Sequence, residues 1–286
     1  MGCFDRALEL RSGLPFEALP TLRYGLAACW LNRADALIRL GEAARIADAV
    51  CSFDEGIGLL RGLPLGEDAR FPRRLAMAHH NRGLAIRAQG RPATEAIADF
   101  TEAIAILEHE LAEPIADRRH LLAVVWMNLA NAHASGATAE AESLARGAAL
   151  RAINLVADVE GGDEDAAEVG LKARHVLCQT IAVRLSLITG REGTMPDDVH
   201  EATDVADDGL VLARRWEHRG VDRFRGIAYD LFRFGARVYA RYQPQFLNEF
   251  VHDNLDPSQS STGYADCVEM RGAAQEALAI ATRARR

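Results

Sequence analysis

The sequence predicts an all-α protein, a right-handed α-solenoid of antiparallel helix pairs with a less regular C-terminal helical layer. Three observations carry that prediction. Nearly every segment has helical periodicity and almost none has strand alternation. Glycine and proline interrupt the pattern at short, regular intervals. The chain also repeats itself: Phe4-Asp5, Leu10 and Gly13-Leu14-Pro15 recur as Phe53-Asp54, Leu59 and Gly62-Leu63-Pro64, 49 positions on. Leu26, Ala27, Asn32, Arg33 and Gly41 meet Leu75, Ala76, Asn81, Arg82 and Gly90 at the same offset, and about 47 residues later Asn128 answers Asn81. Ala49 and Ala96 are related by the same spacing of about 47 residues. A fixed period of this length means stacked helical units, each burying its apolar face against its neighbours.

The elements follow in order. Leu26, Trp30, Ala34, Leu37 and Ile38 line one face of a helix that Gly41 ends. Ala49, Phe53, Gly56 and Ile57 line the next, which stops at Gly62-Leu63-Pro64. The pattern returns over 70–89 and 93–112, broken by Gly90-Arg91-Pro92 and Glu113-Pro114, and again over 117–135 and 137–158 around Gly136. Glu160-Gly161-Gly162-Asp163-Glu164-Asp165 reads as a mobile acidic loop. A fourth pair follows over 166–189 and 197–217, the latter with Ala202, Ala206 and Gly209 on its inner face. A long helix over 220–241, a short one from Pro244 to Leu255, a loop over 256–261 and a final alanine-rich helix complete the chain. The aromatic residues between Phe224 and Phe250 point to a differently packed C-terminal layer. Three regions result: a half-repeat or cap over 1–16, three helix pairs over 17–158, and degenerate repeats with the C-terminal layer over 159–286.

The helix pairs resemble tetratricopeptide repeats. The first helices supply Trp30/Ala34/Leu37/Gly41, His79/Gly83/Ile86/Gly90 and Trp126/Ala130/His133/Gly136. The second helices supply Ala49/Phe53/Gly56, Ala96/Phe100/Ala103 and Ala141/Ala145/Ala148. Small residues let helix axes approach while a neighbouring aromatic fills the wider gap. The resemblance covers residues 3–150. It departs from the family in period, 47–49 residues here against about 34, and in Ala145, which stands where an aromatic belongs. A long-helix variant is the implied fold. The chain begins in mid-repeat, with Phe4 and Ala7 in second-helix positions. That half unit reads as a cap; a shortened chain or a misassigned start gives the same pattern.

Composition narrows the function classes. A net charge of −8 argues against nucleic acid as the partner, since that normally needs a basic face. Of 33 basic residues only Lys172 is lysine, a bias of GC-rich, bacterial coding sequence. Five scattered cysteines read as reduced packing residues of a cytoplasmic protein. No apolar run approaches the roughly 18 residues of a membrane span. No basic leader precedes an apolar stretch. Met1-Gly2-Cys3 resembles an acylation start, but Arg6 stands where the pattern wants Ser or Thr.

Enzyme patterns are weak. Lys172 has no glycine-rich approach, so a Walker loop is excluded. His-Glu-x-x-His is absent, Glu249 and His252 form a lone Glu-x-x-His, and the adjacent His79 and His80 point about 100° apart on a helix. Asp197-Asp198-Val199-His200-Glu201 resembles an aspartate-rich magnesium motif, yet it sits at a helix start, where acidic residues stabilise the dipole. No cofactor or metal is implied.

Binding residues are better defined. Asn32, Asn81 and Asn128 each precede the small residue of a first helix by two positions. The family resemblance places that position on the concave groove. An amide offers both donor and acceptor, so three in register suit a peptide backbone of any sequence. The alternative is that they bond neighbouring side chains or helix ends. Asp35, His80, Arg87 and Asn131, beside Leu31 and Met127, would add side-chain specificity. Arg233, Arg237 and Arg241 step by four along one helix face and suit a carboxylate or phosphate; pairing with Asp222, Asp230, Glu249 and Asp253 is the bland alternative. The reading is a non-enzymatic module holding a peptide or helix of a protein partner. An all-α enzyme or small-ligand binder using the C-terminal region, and homo-oligomerisation through an exposed end, are the alternatives.

Overall fold

The computed structural model describes residues 2–15, 19–109, 116–136, 138–188, 196–255 and 268–284. They form twelve helices and no strand among the described residues. In chain order these are α1 (Gly2–Ser12), α2 (Pro20–Arg39), α3 (Ala43–Arg61), α4 (Arg70–Ala88), α5 (Ala93–His109) and α6 (Ala116–Ala134). They continue as α7 (Ala139–Val156), α8 (Glu164–Ile188), α9 (Pro196–Glu217), α10 (Arg225–Tyr242), α11 (Leu247–Leu255) and α12 (Val268–Ala284). The chain is all-α, and it divides into two compact units, Met1–Ala132 and His133–Arg286. The boundary expected near 158 falls inside the second unit, between α7 and α8. The ends expected at 112 and 189, the loop over 256–261 and Gly190 lie outside the described residues.

In the first unit consecutive helices from α1 to α5 are adjacent in space. α1 packs on α2, α2 on α3, α3 on α4 and α4 on α5, and α2 also touches α4. The repeat sets the turns. Gly41 and Gly90 take left-handed backbone conformations, φ 70° and 69°, immediately after the ends of α2 and α4. A side chain there would be strained, so the glycine that ends each first helix is a backbone requirement.

Close packing explains the small residues. A Cβ on Gly83 would lie 2.7 Å from Phe100, and one on Gly56 would lie 2.6 Å from Leu31. Each glycine therefore lets the two helices of a pair approach until a large side chain of one rests on the backbone of the other. Phe100 is fully enclosed in this way, and Phe53, its counterpart one repeat earlier, is as deeply buried.

An ionic clasp recurs with the period. Arg33 bonds Asp5 of α1 at 3.1 Å and Ser52 of α3 at 2.6 Å. One repeat later Arg82 bonds Asp54 of α3 and grips Asp99 of α5 with two bonds, at 2.8 and 2.6 Å. The first-helix arginine thus joins the second helix behind it to the one ahead. In the third repeat Leu129 replaces the arginine, Thr101 follows Phe100 where Asp54 follows Phe53, and Leu144 precedes Ala145 where Asp99 precedes Phe100. Arginine and both acceptor positions change together.

The second unit is built around α10, which contacts α8, α9, α11 and α12. α7 packs on α8 and α8 on α9. Phe232 of α10 stacks on Phe250 of α11 with ring centroids 5.4 Å apart, and Tyr239 leans on the same ring at 4.8 Å. The aromatic concentration read from the sequence is largely this layer. α10 begins at Arg225, five residues later than the expected 220, because Gly220 takes φ 81° and ends the preceding turn. The acidic stretch read as a mobile loop is tied down instead. Buried Glu160 forms a two-pronged ion pair with Arg174, at 2.8 Å on each arm, and its carbonyl accepts from Trp216. Arg219 bonds Gly161, and Arg223 pairs with Glu164, Asp165 and Glu168.

Candidate functional site

The three repeat asparagines lie on α2, α4 and α6; Asn81 and Asn128 are linked through His80, and Asn32 is bonded to Arg74 of α4. Asn128 of α6 donates from Nδ2 to His80 Nε2 at 2.9 Å. With Nε2 accepting, the neutral imidazole carries its proton on Nδ1, which faces Asn81 Oδ1 at 3.2 Å. Asn81 Nδ2 in turn donates to Asp35 Oδ1 of α2 at 3.3 Å. Every bond donates in one direction, from α6 through α4 to a carboxylate on α2, an arrangement in which each bond polarises the next. Asn32, the exposed member, accepts from Arg74 Nη2 at 2.9 Å.

Burial tunes the strip. His80 is almost wholly enclosed, and desolvation pushes its pKa down to about 4 against the pull of the Asn81 bond. The imidazole is therefore neutral at pH 7, as the bonding direction requires. Burial holds the Asp35 carboxyl above the ordinary aspartate range, opposed by Arg74, the Asn81 bond and Arg39. Phe100 packs beside His80 with ring centroids 5.9 Å apart, so the clasp helix α5 also positions the imidazole. Half-buried Arg87 has no ion pair among the described residues, and burial lowers its guanidinium pKa. Asn131 lies half-buried on α6.

Asn32, Asp35, His80, Asn81 and Asn128 are thus brought into one polar strip, and the amides are engaged with neighbouring side chains as the alternative reading anticipated. They retain capacity nonetheless. Asn32 keeps its amide N–H groups and Asn128 its carbonyl without a hydrogen-bond partner among the described residues. Arg74 is the member that periodicity did not single out. Its signal is positional: it lies one helical turn before Ala78, on the face that leads to Asn81.

His79, adjacent to His80, turns into the core instead. Its Nδ1 donates to Asp99 Oδ1 at 2.7 Å, and Arg61 lies 3.4 Å from Nε2. It occupies the position that tryptophan holds in the neighbouring repeats, at Trp30 and Trp126, and replaces apolar bulk with a hydrogen-bonded pair.

In the second unit Asp198 and Glu201 of the aspartate-rich stretch are committed to arginines. Arg184 Nη2 lies 2.5 Å from Asp198 and 3.1 Å from Glu201, and Arg146 bonds Glu201 at 2.8 Å. No group of His, Cys, Asp and Glu among the described residues is arranged to hold a metal ion.

Two clefts flank α10. One, of about 510 Å³, lies among α9, α10 and α11, where the Tyr239 hydroxyl donates to Asp207 at 3.0 Å beside Asp204, Glu249 and Asp253. Burial raises the Asp207 carboxyl, with Asp204 and Asp208 adding to the rise. The other, of about 310 Å³, lies between α8 and α10 and is lined by Arg233, Arg237 and Arg241. Of the acids read as their partners, Asp222 pairs with Arg225 and Asp253 with His252, while Asp230 borders this cleft but faces His175. Only Arg237 has a carboxylate partner among the described residues, Glu276 of α12 at 2.8 Å.

The fold and strip define a class, an all-α protein of helical-repeat character with a polar strip across its first helices. No family model, curated protein or solved structure matches the chain. No helix among the described residues is long and apolar enough to cross a membrane.

Proposed function

We propose that the chain is a long-helix, tetratricopeptide-like repeat protein of the bacterial cytoplasm, and that its first unit is a non-enzymatic module binding an extended peptide segment of a partner protein. The reading rests on one observation. Asn32, Asn81 and Asn128, equivalent in three repeats, lie on α2, α4 and α6; Asn81 and Asn128 are joined through His80, Asn81 reaches Asp35 of α2, and Asn32 is tied to α4 through Arg74. The hydrogen bonds among them hold each amide in one orientation, which reduces the entropy lost when a peptide group binds. The unused amide groups of Asn32 and Asn128 suit backbone carbonyls and N–H groups, while Arg87 suits an acidic side chain.

The test is direct. Dodecapeptides selected from a random library on the wild-type chain are titrated by fluorescence anisotropy. Asn81→Ala with Asn128→Ala weakens them at least about tenfold, or about 1.4 kcal/mol. Because that change also strips both partners from buried His80, the triple variant that adds His80→Leu provides the control. A triple variant that melts like wild type and still binds poorly supports the amide strip. One that melts like wild type and binds normally overturns it.

A further inference from the structure

The cleft between α8 and α10 carries chemistry that peptide binding by the first unit does not use. Its floor is apolar: Cys178, Leu185 and Val238 are buried there, with Phe234 and Tyr242 beside them. Burial raises the Cys178 thiol, so it contributes apolar surface and no charge. The rim is cationic. Arg233, Arg237 and Arg241 follow one another at single-turn spacing along α10, so all three guanidinium groups edge the same opening.

The charges do not balance. Arg237 is matched by Glu276, and Asp230 faces His175 at 3.6 Å. Arg233 lies over the Tyr229 ring and Arg241 over the Tyr242 ring, each held by an aromatic face and by no carboxylate among the described residues. Three guanidinium charges therefore meet two carboxylates, Asp230 and Glu276, and one positive charge is left over. This occurs on a chain with eight more acidic than basic residues. Aromatic stacking leaves the guanidinium edge N–H groups free while fixing the plane of the group, which favours two-pronged binding of a carboxylate.

A volume of about 310 Å³ is at the lower end of small-molecule sites, which combine an apolar lining with a few placed polar groups. We infer that this cleft binds a small amphiphilic monocarboxylate, its chain or ring against Cys178, Leu185 and Val238 and its carboxylate on one of the two rim arginines without a carboxylate partner among the described residues, Arg233 or Arg241. One negative charge neutralises the surplus, and the apolar floor requires a body that inorganic anions lack. Gln179, whose amide nitrogen lies 3.2 Å from His175 Nε2, borders the same opening.

Isothermal titration of the full chain with decanoate tests the site. Saturable one-to-one binding is expected, with 1-decanol and inorganic phosphate each at least about tenfold weaker. Arg233→Gln with Arg241→Gln should weaken decanoate at least tenfold at an unchanged melting temperature. Ala182→Trp, which fills the cleft from exposed α8 surface, should abolish binding while Asn81→Ala leaves it intact. Decanol binding as tightly as decanoate would overturn the role of the arginines. Phosphate binding as tightly would overturn the role of the apolar floor. Absence of saturable decanoate binding, or full affinity in Ala182→Trp, would overturn the site altogether.

Discussion

Asn128 Nδ2 lies 2.9 Å from His80 Nε2 across 48 residues of sequence. That single contact sets the imidazole tautomer and, through it, the direction of every hydrogen bond back to Asp35. The strip is therefore built for a neutral His80, and departures from neutrality should be measurable.

His80 has a folded pKa of about 4 against 6.5 for an ordinary histidine. The unfolded chain takes up the proton first, so the stability this residue confers is complete above pH 6.5 and is lost as pH falls towards 4. Between pH 7.5 and 5 its share of the loss is about 2 kcal/mol. Asp35 works in the opposite sense, since its raised pKa lets the folded state take up a proton first, but only in the acid range of aspartate. Urea unfolding at the two pH values measures the difference, and His80→Gln should remove the histidine share.

Replacing Asn128 by aspartate keeps the shape and substitutes a carboxylate for the donor facing Nε2. The nearby negative charge favours the imidazolium. The His80 titration followed by NMR should move from about 4 to above about 5 in Asn128→Asp. An unmoved titration would mean that the Asn128–His80 contact does not govern the ring.

Asp99 is buried, and although burial works against its charge, the His79 and Arg82 hydrogen bonds hold its carboxyl below the ordinary range. Arg82→Leu removes the larger counterion and should cost about 3–5 kcal/mol in chemical denaturation. Adding Asp99→Leu should recover a large part of that loss, because it removes the stranded charge. The third repeat already carries leucine at both equivalent positions, Leu129 and Leu144.

Gly83→Ala tests the close approach of α4 and α5. Alanine gains about 1 kcal/mol of helix propensity, but its Cβ would sit 2.7 Å from Phe100. Overpacking costs about 1–3 kcal/mol, so the variant should melt lower than wild type. Gly83→Ala with Phe100→Leu should melt closer to it, since the shorter side chain vacates the contested space.

Much of the fold was legible in particular residues. Gly41 and Gly90 marked helix ends because a left-handed residue is a local backbone requirement. Phe53 and Phe100 marked the core because burial of an aromatic at helical spacing follows from period alone. Arg33 and Arg82 were visible as a recurrence, and so were Asp5 and Asp54 behind them at the same offset of 49; the acceptors ahead, Ser52 and Asp99, were not, since they sit 47 residues apart and the clasp crosses two spacings. The acidic run from Glu160 looked like a free loop because local composition cannot register Arg174 and Trp216, which reach it from other helices.

Helix number, helix type, the turns and the core faces were determined by the sequence itself, since each depends on side-chain period and backbone freedom within a few residues. The tautomer of His80, the pairing of Asp198 and Glu201 with arginines, and the unbalanced charge at Arg233 and Arg241 were decided only by tertiary structure. Their energies depend on which charges and dipoles lie within a few ångströms and how much water is excluded, and those neighbours come from helices far apart in the chain.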